Sequence, residues 1–405
     1  MISETGTTSA AAPRRSLAGL LMAASALGGF GAILPVFRDS LQAHFALNNA
    51  QFALLLTFGS LAGAAGALAS GPLTDRRGAW PAFRIFLSIL AAGCALGAVA
   101  AGWLWLLGSL AIVYFGFYAL LIPAQAGLVA LFPGNRRRIL SVFLVASALF
   151  SMVMPLIGEA LLKLSAAGWM TFGTALHGLF GVMALVMLAI LALFRRQAGS
   201  APPAAIAAEA HTGVVGGLWL LVALAALHGT FDAMSATWIP RILAGPSYAA
   251  WPFLPGTVVA FFGLSYVVSR ALLGLLPEHK WRRRLMVAPG LMGGLVLAAG
   301  LLTRTQAGAA VGYVAAAFCW SVEYPMFLSA MSGDRRFGKA MAALNVSCGV
   351  LCFLLPTAQG MVIDRLHEAG FAGREWMVLL APAAGFILVG LLGAVWVRRY
   401  GKNLR

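Results

Sequence analysis

Hydrophobic residues in this chain fall into long runs, and polar residues gather in the short gaps between them. A helix rises 1.5 Å per residue, so about 20 consecutive apolar residues cross a hydrocarbon layer about 30 Å thick. Twelve runs reach that length, at 16–37, 51–73, 83–103, 104–132, 139–164, 171–194, 216–243, 251–276, 284–303, 307–332, 338–363 and 375–397. Each is predicted as a membrane-crossing α-helix, because lipid offers the backbone no hydrogen-bond partner and a helix satisfies its own groups. The division of the third run from the fourth rests on Gly102 alone, since apolar sequence continues across it. Arg14-Arg15 before the first run superficially looks like a twin-arginine export signal, but the run is too long for a cleaved leader and reads as a first membrane helix.

Composition narrows the class. Of 405 residues, 61% are apolar and 10% charged, and 12 acids with 28 bases cannot supply the polar surface that a soluble chain needs. Disorder is excluded by the same apolar content. The net charge of +16 is spread as short basic clusters between the runs, with no basic face of the kind that grips nucleic acid. If the N-terminus is cytoplasmic, 21 of the Lys and Arg residues fall on the cytoplasmic side and six on the other, with Arg270 inside the eighth run. That bias expects both termini inside a cell (inner) membrane. Cys94, Cys319, Cys348 and Cys352 lie within apolar runs without metal-ligand spacing, and read as packing residues.

The runs repeat. A segment rich in Ala and Pro at 195–215 divides them six and six, which sets the expected domains as 1–194, a cytoplasmic linker 195–215, and 216–405. Gly134-Asn135-Arg136-Arg137 recurs as Gly333-Asp334-Arg335-Arg336. Pro123 and Pro155 recur as Pro325 and Pro356, and Gly71-x-Leu73-x-Asp75 as Gly274-x-Leu276-x-Glu278. The four offsets are nearly constant and keep their order. The expected fold is therefore an all-α membrane protein of twelve transmembrane helices in two pseudo-symmetric six-helix bundles.

Gly71-Pro72-Leu73-Thr74-Asp75-Arg76-Arg77-Gly78 resembles G-x-L-x-D-R-x-G, the signature between helices 2 and 3 of the major facilitator superfamily. The resemblance extends over essentially the whole chain. It implies alternating access to a central cavity lined by helices 1, 4, 7 and 10, and a cytoplasmic gate built on Gly71, Asp75, Arg76 and Gly78, with Gly274 and Glu278 as weaker counterparts. The chain departs from the drug-exporting members. Ala79 and Trp80 follow the motif in place of basic residues, Ile112 stands where many carry an Arg, and Met154-Pro155-Leu156-Ile157-Gly158-Glu159 lacks two glycines of their helix-5 motif.

A charge at a helix centre costs roughly 2.5–3.5 kcal/mol to insert, so ionisable residues within the runs are functional candidates. Asp232, with His228 one turn before it, Glu323 and Glu159 are the candidates for proton coupling; Glu159, near a helix end, also suits a gate. Spacing expects His228 to pair with Asp232. Tyr114, Tyr118, Gln125, Trp320 and Tyr324 are candidates for a substrate cavity, with Trp238 at similar depth; Trp320, Glu323 and Tyr324 are spaced to share a helix face. Arg270 is expected to pair with loop acids or to reach the cytoplasmic surface. His177 reads as a packed histidine. Gly28-Gly29-x-Gly31 has no strand before it and no phosphate-binding Lys after it, so it reads as a site of close helix packing and bending.

These features expect a secondary transporter for a small organic solute, proton-coupled, with a proton-driven exporter of hydrophobic drugs or metabolites as the alternative. No cofactor, metal or nucleic acid is expected; the chain is expected to be a monomer in a lipid bilayer and not an enzyme. No nucleotide-binding G-x-x-x-x-G-K-[ST] motif is present. Cysteines placed singly at Gly134 and Gly333 in a cysteine-free background should be labelled from the cytoplasm only. Labelling of either from outside intact cells would break the orientation and the repeat together.

Overall fold

The computed structural model describes residues 8–34, 36–47, 49–198, 215–243, 255–277, 281–371 and 374–401. Helices account for nearly all of them. The long ones are α1 (Thr8–Ala26, continued as a 3₁₀ stretch Leu27–Ile33), α2 (Asn49–Arg77), α3 (Ala79–Gly97), α4 (Trp103–Leu131), α5 (Arg136–Ala166) and α6 (Phe172–Ala198) in the first half. The second half holds α7 (Leu218–Leu243), α8 (Pro255–Leu275), α9 (Ala288–Leu302), α10 (Gln306–Trp320, resuming as Glu323–Met331), α11 (Phe337–Glu368) and α12 (Leu380–Tyr400). Eleven spans among the described residues are long and apolar enough to cross a membrane, and α2, 29 residues long, packs among them as the twelfth helix.

The two halves pack by one plan. In the first, α2 and α3 both lie on α4, α3 on α6, and α1 on α4, α5 and α6. In the second, α8 and α9 lie on α10, α9 on α12, and α7 on α11 and α12. The bundles meet through two equivalent seams, α2 against α11 and α5 against α8. Without a hydrophobic drive between helices in lipid, close approach depends on small residues. A side chain at Gly66 would strike the Phe115 carbonyl of α4, and one at Gly300 would strike Gly312 of α10. At the α2–α11 seam, Gly349 is closed over by the Ser60 carbonyl.

Several element ends differ from the expected ones for identifiable reasons. The third run begins earlier, at Ala79, because Gly78 with φ 83° turns the chain from α2 into α3 in a single residue. Such a φ favours glycine. The signature is therefore not a loop: Gly71 to Arg77 form the last turns of α2, and only Gly78 lies outside helix. Gly102 does separate α3 from α4, in extended conformation ahead of Trp103. Gly28 to Gly31 fall in the 3₁₀ stretch that ends the first span, and a side chain at Gly31 would strike the Tyr114 hydroxyl. Most of the expected linker, 199–214, lies outside the described residues, and α6 continues to Ala198.

Prolines locate the remaining irregularities. A proline has no N–H, so the carbonyl four residues earlier loses its helical donor. Pro123 frees the Ala119 carbonyl, and Ser70 Oγ of α2 donates to it at 2.6 Å. Pro325 frees the Ser321 carbonyl at the break in α10, and Arg270 Nε of α8 donates to it at 3.2 Å. The paired prolines of the repeat are thus answered by donors on equivalent neighbours, α2 and α8.

The repeated Gly-Asx-Arg-Arg segments bind at the face where the basic loops lie. Buried Asp334 accepts the backbone N–H groups of Val215 and Arg336, both at 2.7 Å, and the Arg336 guanidinium. Burial alone would raise the Asp334 carboxyl, but these donors outweigh it and hold it below its ordinary range. A depressed carboxyl stabilises the fold above its unfolded pKa and loses that contribution as pH falls through the folded value. Asp334→Ala should therefore lower the melting temperature in detergent at neutral pH, and the gap should narrow below about pH 4. Equal melting at neutral pH would contradict the anchoring role.

Candidate functional site

Two groups of polar residues stand out, one at the basic face and one within the membrane. At the basic face the first bundle presents charges to helix ends of the second. A side chain at Gly338, in the first turn of α11, would run into Asp75 Oδ1, which places this carboxylate at a helix N-terminus. An anion is favoured there by the unpaired N–H groups and the helix dipole. Gly71 lies one turn deeper, against Ala342 of α11. The cations take the opposite ends. Arg137, 1% exposed, donates through Nη2 to the Leu276 and Pro277 carbonyls just past α8, and Arg136 Nη1 reaches the Ser332 carbonyl at the end of α10, 3.3 Å away. Arg76 is exposed at the end of α2, Gly274 lies in the last turn of α8, and Glu278 lies outside the described residues.

Within the membrane, His228 does not pair with Asp232. Its Nδ1 lies 3.1 Å from Glu323 Oε2, with both side chains almost fully buried. The two residues are one turn apart on α7, but Glu323 enters at the α10 break and takes the histidine from the side. Phe386 and Phe327 pack edge-on to the imidazole, and Tyr324 stacks over it at 6.0 Å. Gly290 of α9 makes room for the carboxyl, since a side chain there would strike both of its oxygens. This acid–base pair sits inside the second bundle.

Asp232 keeps other company. It is half-buried, within electrostatic reach of the Tyr266 hydroxyl, the Trp320 indole N–H and the Arg270 guanidinium, yet its Oδ1 is buried without a hydrogen-bond partner. Tyr266 accepts a 2.6 Å bond from Trp320 Nε1, and its ring lies 4.3 Å from the Arg270 guanidinium carbon. Arg270 is 8% exposed, and neither expected partner holds it. It donates to the Ser321 carbonyl in its own bundle and, through Nη1 at 3.1 Å, to the Leu144 carbonyl of α5 in the other. The surface-reaching reading fails because the freed carbonyl offers the guanidinium a partner at depth.

The expected cavity residues divide. Trp320 is fully buried, stacked on Phe386 at 3.9 Å, and it shares with Glu323 the glycine face of α9, at Gly293 and Gly290. The break after Trp320 leaves Tyr324 on the His228 side instead. Tyr118 of α4 packs over Gly63 and lies within electrostatic reach of Cys348, Cys352 and Tyr324, so it spans the space between the bundles. Tyr114 covers Gly59 and Gly31 inside the first bundle. Gln125 is buried, its Oε1 without a partner. Trp238 Nε1 donates to the Pro356 carbonyl. Glu159 is half-buried near the far end of α5, and His177 reaches the Ala100 carbonyl. No cluster of three metal-ligating side chains occurs among the described residues. Sequence reasoning missed Tyr266 and the depth of Arg270. Their i, i+4 spacing and a charge inside an apolar run were the available signals.

No curated protein matches this chain. Solved structures match it over nearly its full length at low identity. A proton:xylose symporter, XylE, bound to 6-bromo-6-deoxy-D-glucose, is 14% identical with 96% of each chain covered and a TM-score of 0.77. A human organic anion transporter, TETRAN, is 15% identical, covering 94% of this chain and 99% of its own, with a TM-score of 0.74. FucP, described in the outward conformation, is 15% identical at the same coverage, with a TM-score of 0.69. At these identities the likeness establishes the fold. The sequence model of the Major Facilitator Superfamily matches residues 19–356, most of the chain, and this protein is a member of that superfamily.

Proposed function

We propose that this protein is a secondary active transporter that carries a small organic solute across the cell (inner) membrane, coupled to protons, with both termini cytoplasmic. One observation carries the reading. The bundles are joined by charge-to-helix-end contacts on one face, while Asp232 of α7 keeps a buried oxygen without a hydrogen-bond partner beside Arg270, which reaches across to α5. Such contacts separate by rocking at the two seams, because no covalent or continuous helical connection has to break. The similarity to a proton:xylose symporter agrees with proton coupling.

The residues divide the work as follows. Asp232 is the proton carrier: each of the two deep acids keeps one buried oxygen without a hydrogen-bond partner, but Glu323 is held through its other oxygen by His228, whereas Asp232 has no imidazole partner. His228 and Glu323 hold each other inside the second bundle, a reserve proton site. Tyr118 and Tyr324 face the solute from opposite bundles. Asp75, Arg136 and Arg137 close the cytoplasmic gate. Moving one charge through 100 mV is worth about 2.3 kcal/mol, roughly a fifty-fold gradient, so one proton per cycle suffices for useful accumulation.

Proteoliposomes should accumulate at least one solute of a broad panel under an imposed pH gradient. Asp232→Asn should abolish that accumulation while leaving exchange of pre-bound solute largely intact. Normal accumulation by this variant would remove Asp232 as carrier and turn attention to Glu323 or Glu159. In the same vesicles Asp75→Asn should impair turnover more than solute binding, and more than Glu278→Gln does. Wild-type turnover in Asp75→Asn would reject its gate role.

A further inference from the structure

The arginine pair of the α5–α8 seam is reciprocal. Arg137 of α5 holds carbonyls at the end of α8, and Arg270 of α8 holds a carbonyl two turns inside α5. The outer rung faces the basic loops. The inner rung lies beside Asp232, which is electrostatically coupled to Arg270 but closes no ion pair with it. A guanidinium with several donors in a fixed fork can exchange one acceptor while keeping another. Ser321, freed by Pro325, is the acceptor it can keep, because proline has no N–H to reclaim that carbonyl. Leu144 and Asp232 then compete for the rest of the fork.

We infer that Arg270 is a releasable tether between the bundles, and that Asp232 is the group that releases it. This rests on the proton-carrying role proposed for Asp232. A protonated Asp232 competes poorly, and Arg270 holds the Leu144 carbonyl, keeping the basic face closed as it stands here. Loss of the proton leaves a carboxylate whose charge-assisted bonds are about twice as strong as those of a neutral acceptor. Arg270 turns to it, α5 is let go, and the basic face opens. The proton state at mid-membrane is thereby read out at the seam through Arg270, which holds a carbonyl in each bundle.

Other titratable groups face this pair and must be separated from it. Arg270 itself and Tyr266 come from α8, Tyr313 and Tyr324 from α10, Cys348 and Cys352 from α11, and His228 with its partner Glu323 from α7 and α10. Phenols and thiols ordinarily titrate above or at the alkaline edge of a scan from about pH 5 to about pH 8. Only the His228–Glu323 pair remains as a rival source of a pH response.

The test is a distance between the bundles across the basic face. Azidophenylalanine at the exposed positions Arg138 and Arg283 accepts a donor and an acceptor dye without touching the native thiols, and single-molecule energy transfer is read in nanodiscs with no solute present. The full-length protein should be mostly closed at about pH 5 and lose much of that population by about pH 8. Asp232→Asn should stay closed throughout while no solute is bound, the opening it needs for exchange being supplied by solute. Arg270→Gln should be mostly open throughout, and Arg270→Lys, whose point charge cannot span two carbonyls, should fall between it and the parent. A parent-like closed population in Arg270→Gln or Arg270→Lys overturns the tether. A surviving pH response in Asp232→Asn that vanishes in Glu323→Gln overturns the assignment of Asp232. Because the measurement needs no transport, a failure of the flux assays is distinguishable from a failure here.

Discussion

Inside a hydrocarbon layer, a main-chain carbonyl released from its helix has to find another donor, and much of this molecule follows from how that is done. The chain carries 28 bases against 12 acids, so most arginines have no carboxylate to meet. At the bundle seams they meet carbonyls instead. Arg136 and Arg137 cover the ends of α10 and α8, and Arg270 covers the carbonyl that Pro325 frees. Asp75 completes the scheme at a helix end of the kind that favours an anion, the start of α11. Pairing a charge with a helix end has a mechanical consequence. It holds two rigid elements at a fixed register and lets go as a unit when they separate, whereas a flexible surface ion pair contributes little and yields gradually.

The same economy separates two acids that the sequence places within a few turns of depth. Glu323 is enclosed with His228 among Phe386, Phe327 and the glycine face of α9, where neither partner can move without disturbing packed rings. Asp232 is half-buried beside an arginine committed elsewhere. One pair is built to be kept and the other is poised to rearrange. That contrast, rather than depth in the membrane, is what favours Asp232 for the proposed proton-carrying role.

The fold was largely legible because its strongest determinants are local. Run length predicts the spans, and the recurrence of Pro123 and Pro155 as Pro325 and Pro356 predicts two equivalent halves. The signature from Gly71 to Gly78 pointed to the superfamily, and α2 runs on through it to Arg77 in spite of Gly71 and Pro72, with only Gly78 at a positive φ. The site was less legible. Helical spacing put His228 with Asp232 on α7, blind to Glu323 arriving from another helix, and put Trp320 with Tyr324 on the assumption of an unbroken α10. The break at Ser321 and Val322 re-aims every side chain around it, and its cause, Pro325, was in view but was used only to align the repeat. Which carbonyl Arg270 would take could not be read from α8 alone, because that acceptor belongs to another helix.

The central claim is that closure of the basic face is one cooperative contact made of charges against helix ends. Hydrogen–deuterium exchange in nanodiscs, comparing the parent with Arg137→Met, tests it most directly. Arg137 donates to the carbonyls at the end of α8 and lies at the α5–α8 seam, so a set of independent contacts would lose protection at that seam and leave α11 unchanged. The account predicts faster exchange both at Leu273–Leu276 and in the first two turns of α11, Phe337 to Leu344, which Asp75 faces across the other seam. Faster exchange confined to α8, with α11 unchanged, would contradict it.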